Sequence, residues 1–195
     1  MIFDGIVLAG GRSTRLDGVA KATLEFEGTT LLSRTVAALA GAERVVVVGD
    51  PADAPRGVTV TREDPPFGGP AAAIAAGLAA LGPGAEHVVV LACDMPHADR
   101  VVAALLRTDG TDAVLAVDAD GRMQYLAARY RTAVLRESLA RHGGSLHGLP
   151  ARLLLDGLAT TTTVVGDGST RDIDTWEDAA HFGISHPNTS PEEPS

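Results

Sequence analysis

Two adjacent glycines, two hydroxyls, two arginines and a lysine follow a short apolar run near the N-terminus. The run is Ile6-Val7-Leu8, and the polar stretch is Ala9-Gly10-Gly11-Arg12-Ser13-Thr14-Arg15, continuing to Lys21. Paired glycines let the backbone turn sharply and approach a ligand closely. Consecutive exposed N–H groups make a concave anion site, and Arg15 and Lys21 can add full positive charge. A loop of this kind at the carboxyl end of a first strand is suited to cradling phosphate. It is not a Walker A loop, in which Ser or Thr follows the lysine, because Lys21 precedes Ala22. Nor is it G-x-G-x-x-G, since Gly10 and Gly11 are adjacent. The competing reading is a plain glycine turn whose arginines sit in solvent.

Two acidic positions share the same chemistry. Asp94 follows an emphatic apolar run, Val88-Val89-Val90-Leu91, and precedes Met95-Pro96. A carboxylate there can hold a hard divalent cation that also bridges substrate phosphates. It can equally cap the helix that follows. The segment Asp172-Ile173-Asp174-Thr175-Trp176-Glu177-Asp178 suits a helix N-terminus, where a capping side chain and first-turn acids are favoured. Asp172 and Asp174 could also reach a metal shared with Asp94. Asp64 stands before Pro65-Pro66-Phe67-Gly68-Gly69-Pro70, a turn against which a base or ribose could lie, or an ordinary loop-to-helix entry. Gln124 and Arg129 are the strong polar candidates of residues 121–130, facing either a second substrate or solvent. Cys93 reads as a packed residue, because neighbouring Asp94 raises a thiol's pKa. The histidine pairs 142/147 and 181/186 are five apart, not the three or four that align side chains on one helix face. No G-x-S-x-G for acyl transfer is present.

The elements that must carry these residues alternate. Phe3–Leu8 reads as a buried strand. A helix over 31–40 follows Thr29-Thr30 as its cap, and Gly41 ends it. Further strands are expected at 44–48, 58–60, 87–92, 112–117, 123–130 and 160–165, with a short one at 153–155. Another short strand fits 23–26 inside an otherwise loop-like stretch over 9–28. Helices are expected over 71–81, started by Pro70, over 98–107, over 131–141 and within 172–182. This alternation implies an α/β fold: a single-domain three-layer α/β/α sandwich with a mostly parallel, Rossmann-like sheet covered on both faces. Ligands in such sheets bind beyond the carboxyl ends of the strands. That rule places the loops after Leu8, Val48, Val60 and Ala92 on one rim. Residues 1–182 form the expected domain, and 183–195, polar and proline-rich, an expected disordered tail.

Composition narrows the partners. A chain of 195 residues is long enough for one sizeable core, and its net charge is −9, with 16 basic and 25 acidic residues. That balance argues against a nucleic-acid or membrane surface and makes the cluster Arg12, Arg15 and Lys21 more informative. One cysteine excludes an internal disulfide, so a reducing cytoplasm is the expected setting. Met1-Ile2-Phe3-Asp4 lacks the positive start of a signal peptide.

Taken together, these pieces resemble the molybdenum cofactor guanylyltransferase family of GT-A-like nucleotidyltransferases. The resemblance rests on Leu8-Ala9-Gly10-Gly11-Arg12-Ser13-Thr14-Arg15 with Lys21, on Gly69-Pro70-Ala71-Ala72-Ala73-Ile74-Ala75-Ala76-Gly77-Leu78, on Cys93-Asp94-Met95-Pro96, and on Asp172 to Asp178. Gln124 to Tyr130 also looks like the family's stretch near its pterin substrate. The chain departs from the usual pattern at Ala20, where an aspartate is usual, at Leu16, where methionine is usual, and at Asp172 and Asp174, where asparagines are frequent.

The resemblance implies the nucleotide-diphospho-sugar transferase type of this fold and a Mg²⁺-dependent transfer of GMP from GTP to molybdopterin or molybdenum cofactor, releasing pyrophosphate. It assigns catalysis to Arg15, Lys21 and Asp94. Nucleotide binding falls to Leu8, Ala9, Gly10, Gly11, Arg12, Ser13, Lys21, Asp50, Asp64, Gly69 and Asp94. It assigns the metal to Asp94 and Asp174, and the acceptor to Gln124 and Asp172. Molybdoenzymes or cofactor-handling proteins are the implied transient protein partners. A relative using CTP or a sugar or alditol phosphate, or a non-catalytic protein that delivers a bound nucleotide or pterin, fits the same residues.

Overall fold

The computed structural model describes residues 1–10, 16–50, 52–143, 146–166 and 170–184. Strands β1 (Phe3–Leu8), β4 (Val45–Val48), β5 (Thr59–Thr61), β6 (His87–Ala92), β7 (Ala113–Val117), β8 (Met123–Arg131) and β9 (Thr160–Val164) form one sheet in the order β5-β4-β1-β6-β8-β7-β9. A two-stranded hairpin, β2 (Glu25–Phe26) and β3 (Thr29–Thr30), stands apart from it. β5, β4, β1 and β6 run parallel, and so do β7 and β9. β8 alone is reversed, antiparallel to both β6 and β7.

Period-two alternation divides the strand residues between two cores. From β1, Phe3 and Val7 join one core, and Ile6 and Leu8 the other. The first core is closed by α1 (Leu31–Ala38) and α3 (Ala98–Arg107), through Leu32, Val101 and Leu105. The second is closed by α2 (Pro70–Leu81) and α4 (Thr132–Arg141), through Ile74, Leu78 and Leu135. The three expected layers are therefore present. α2 lies close on β1 because Gly77 faces Ile6: a Cβ there would stand 2.8 Å from Ile6 Cγ2.

Thr30 caps α1, its hydroxyl accepting from the Ser33 N–H at 3.2 Å. The last helix, α5 (Trp176–His181), starts later than 172 because Thr175 is its cap and forms a capping box with Asp178. Two elements differ from expectation. Residues 153–155 are not a strand but part of a 3-10 turn, Ala151–Leu155. Leu154 is wholly buried there, and its carbonyl accepts from Ser138 Oγ at 2.7 Å, so the apolar triplet packs on α4 rather than extending the sheet. The short strand expected over 23–26 is confined to Glu25–Phe26, after a 3-10 turn at Lys21–Thr23. Packing continues through Ile184, which is buried in a third small core with Leu16, Leu24, Leu31 and Ile173. Residues 185–195, most of the expected tail, lie outside the described residues. No helix among the described residues is long and apolar enough to cross a membrane.

Candidate active site

The carboxyl ends of β1 and β6 are adjacent, and the backbone ties their loops together. The Ala9 N–H donates to Val48 O at 2.9 Å, and the Cys93 N–H to Leu8 O at 3.1 Å. Gly49 closes the other flank, where a Cβ would come within 3.0 Å of Ala9 Cβ and 3.1 Å of its carbonyl carbon. Only a residue without a side chain allows that approach. Leu8, Ala9 and Gly10 thus stand on the rim the sheet rule selects, with Leu8 buried and Gly10 exposed. Gly11, Arg12, Ser13 and Arg15, also expected in the loop, lie outside the described residues.

Lys21 returns to this rim on the 3-10 turn that follows the loop. Its ammonium donates to Asp94 Oδ2 at 2.8 Å and also to Asp174 Oδ1. Burial works against the charged amine, but Asp94 and Asp174 outweigh it and raise the Lys21 pKa. The two carboxylates come from distant parts of the chain. Asp94 arrives on the turn after β6, and Asp174 on the segment before α5. A backbone bond holds these together: the Ile173 N–H donates to Asp94 O at 3.2 Å. Ile173 itself is fully buried, so its neighbours Asp172 and Asp174 are presented to the rim. On the far side, the Trp176 Nε1–H donates to Asp17 Oδ2 at 3.0 Å and fixes α5 against the chain leading to Lys21.

Asp172 is pushed up to about 7 by burial and then by the charges of Asp94 and Asp174. Cys93 is buried, and burial followed by the Asp94 charge drives its pKa far upward, so the thiol is inert.

Asp94 carries the clearest signal. Its Oδ1 is buried and has no hydrogen-bond partner among the described residues. Buried carboxylate oxygens are normally satisfied, and the opposite oxygen already holds a cation. No group of three or more His, Cys, Asp or Glu among the described residues is arranged to hold a metal ion unaided. A magnesium-like ion does not need one, because it binds through one or two carboxylates and completes its shell with water and substrate phosphates. Asp94 and Asp174, gathered on one ammonium with an oxygen to spare, fit that requirement.

A cleft of about 340 Å³ opens beside Asp94 on the β8 side. Asp172 and Gln124, the two expected acceptor residues, line it, with Met95, Tyr125 and Ala127 as apolar walls. Arg122 and Arg152 line it as well, and the sequence reading passed over both. The site candidate Arg129 is corrected. It pairs with Val89 and Val114 towards the opposite end of the sheet, is 2% exposed and donates to Thr108 O at 3.0 Å. Reversal of β8 brings Gln124 to the rim and carries Arg129 away from it.

The remaining nucleotide candidates lie along the loops after β4 and β5. Asp50 receives the Ala52 N–H at 2.9 Å and turns the chain after β4. Asp64 is exposed on the loop before α2. Gly69, at φ 87°, is the N-cap of α2, a backbone conformation that favours glycine.

The chain matches the MobA-like NTP transferase domain over residues 5–157. It is 37% identical over 153 residues to a molybdenum cofactor guanylyltransferase of Burkholderia lata, covering 70% of this chain and 71% of that one. It is 37% identical over 134 residues to another from Acidiphilium cryptum, covering 66% of each. The crystal structure of molybdopterin-guanine dinucleotide biosynthesis protein A from Archaeoglobus fulgidus superposes with a TM-score of 0.69 at 22% identity, covering 92% of this chain and 96% of that one.

Proposed function

The chain belongs to the family of MobA-like NTP transferase domains, and from that premise we propose that it transfers GMP from GTP to the terminal phosphate of molybdopterin or molybdenum cofactor, releasing pyrophosphate. The observation that carries the reading is the convergence of Lys21, Asp94 and Asp174 on one point beside the cleft that Asp94 lines. The names of the relatives supply the substrates.

An acceptor phosphate oxygen attacks the α-phosphorus of the nucleotide. The new P–O bond forms as the bond to the β-phosphate oxygen breaks, and pyrophosphate leaves with that electron pair. The nucleophile is already ionised, so no general base is required, and catalysis reduces to positioning and charge neutralisation. The backbone of Gly10 and Gly11 holds the triphosphate. Arg15 and Lys21 neutralise it, and Lys21 stabilises the departing charge. Asp94, with Asp174, would hold Mg²⁺, which would supply Lewis-acid charge to the transfer. Leu8, Ala9, Asp50, Asp64 and Gly69 border the nucleoside, and Asp172 and Gln124 the pterin side.

The test is a panel of GTP and CTP with molybdopterin and with sugar and alditol phosphates, scored by pyrophosphate release and product mass. Release with GTP and molybdopterin, yielding the guanine dinucleotide, is expected. Release with CTP alone, or with another acceptor alone, overturns the substrate assignment. Calorimetric GTP binding with no turnover on any acceptor favours a delivery protein.

A further inference from the structure

The acceptor of the proposed reaction brings an anionic phosphate to a rim already crowded with carboxylates. The chain carries a net charge of −9, and Asp94 and Asp172 both line the cleft. Two anions must also meet there, the incoming phosphate and the nucleotide's α-phosphate. Lys21 is held by Asp94 and Asp174 on the nucleotide side. Positive charge on the acceptor side has to come from elsewhere.

Among the described residues lining the cleft, Arg122 and Arg152 are the cations. Several other arginines of the fold are engaged: Arg44 by Asp4, Arg34 by Glu27, Arg171 by Asp178, and Arg136 by the Leu78 and Gly82 carbonyls. The side chains of Arg122 and Arg152 make no hydrogen bond or ion pair among the described residues. Their backbones, by contrast, are fixed. Arg122 closes the turn between β7 and β8: its N–H donates to Asp118 Oδ1 at 2.8 Å, and its carbonyl accepts from the Asp118 N–H at 3.1 Å. Arg152 sits on the 3-10 turn pinned by buried Leu154. Two guanidinium groups with open donors, on rigid supports and lining one cleft, match the planar, bidentate way arginine takes phosphate.

We propose that Arg122 and Arg152 form the phosphate clamp of the acceptor, binding the phosphomonoester of the pterin substrate and setting it in line beside Asp94. This inference rests on the function proposed above and adds to it the groups that recognise the acceptor's charge. Neither arginine is among the residues assigned above to the nucleotide. Both are exposed, so their removal leaves the core intact.

The experiment titrates the full chain with a stable 6-substituted pterin phosphomonoester and with its dephosphorylated counterpart, by calorimetry, for the wild type, R122A, R152A, the double variant and R122K/R152K. Thermal melts check that each variant is folded. Each single alanine is expected to weaken the phosphomonoester about tenfold, the loss of one charge-assisted contact. The double variant should weaken it further, and the lysine variant should recover part of the loss. Binding of the dephosphorylated pterin should not change, and in turnover assays the nucleotide KM should stay put while the acceptor KM rises. Equal weakening of both pterins makes the arginines ring contacts and overturns the clamp. Unchanged binding of both overturns it too. A wild type that turns over with molybdopterin while its arginine variants match it refutes the clamp alone. A wild type that neither binds the phosphomonoester nor turns over removes the proposed function, and the clamp with it.

Discussion

Lys21 Nζ lies 2.8 Å from Asp94 Oδ2, although 73 residues separate them in the chain. One comes from the turn after the glycine loop and the other from the end of β6. Their meeting exists because β1 and β6 are neighbouring parallel strands whose carboxyl ends share a rim. The pair also brings together the opposite charges that a triphosphate and its cation require.

Asp94→Ala is therefore expected to abolish turnover while circular dichroism and thermal melting stay close to wild type. Divalent ion binding, followed with Mn²⁺ by electron paramagnetic resonance, should weaken in parallel. Near-normal turnover in this variant would remove the carboxylate from the metal role.

Lys21→Met keeps the length of the side chain and deletes its charge. Loss of a single preorganised electrostatic donor commonly costs ~10²–10³ in kcat, and a fall of that order is expected. A kcat equal to wild type would exclude Lys21 from stabilising the leaving pyrophosphate.

Asp172 supplies a pH signature of the metal-free chain. Burial, then Asp94 and Asp174, raise its folded-state pKa from 3.8 to about 7. Between these values the folded chain holds a proton that the unfolded chain lacks, so stability rises as pH falls through 7 towards 4. Melting in the presence of a chelator should show wild type gaining stability from pH 8 to pH 5.5 relative to Asp172→Asn. Parallel profiles for the two proteins would contradict the raised pKa.

Gly77→Val tests how α2 seats on β1. Even a methyl group at this position meets Ile6 Cγ2 at 2.8 Å and Ile6 Cδ1 at 3.1 Å, and Ile6 is fully buried. Overpacking of this kind costs ~1–3 kcal/mol, to be read from the denaturant midpoint. A midpoint unchanged from wild type would mean that helix and strand can separate without loss.

Much of this arrangement was legible from local pattern. The runs Val45–Val48 and His87–Ala92 declare buried strands, and their alternation with helices fixes which rim carries the loops. The rule for such sheets then sets Asp94 and Gly10 on the same rim. Asp172 and Asp174 were legible as candidates because they stand in an acidic run suited to a helix N-terminus; the burial of Ile173 between them is visible only in the fold. Arg129 failed for a physical reason. A sequence shows that residues 123–131 form a strand but not which way it runs beside β6, and direction decides which end meets the substrate. Arg152 was hidden by its neighbours: Leu153-Leu154-Leu155 looks like a strand whether it extends or coils, because a short apolar run has no period to read.

The single strand that runs against its neighbours carries a further consequence. Because β8 is reversed, the tight turn at Asp118–Gly121 opens onto the same rim as the glycine loop, yet it belongs to the opposite half of the sheet. Exchange of that turn and the first residues of β8 leaves the strands that carry the nucleotide loops untouched. Chimeras between relatives, joined on either side of this turn, should redirect the enzyme to a new recipient molecule while retaining its choice of donor.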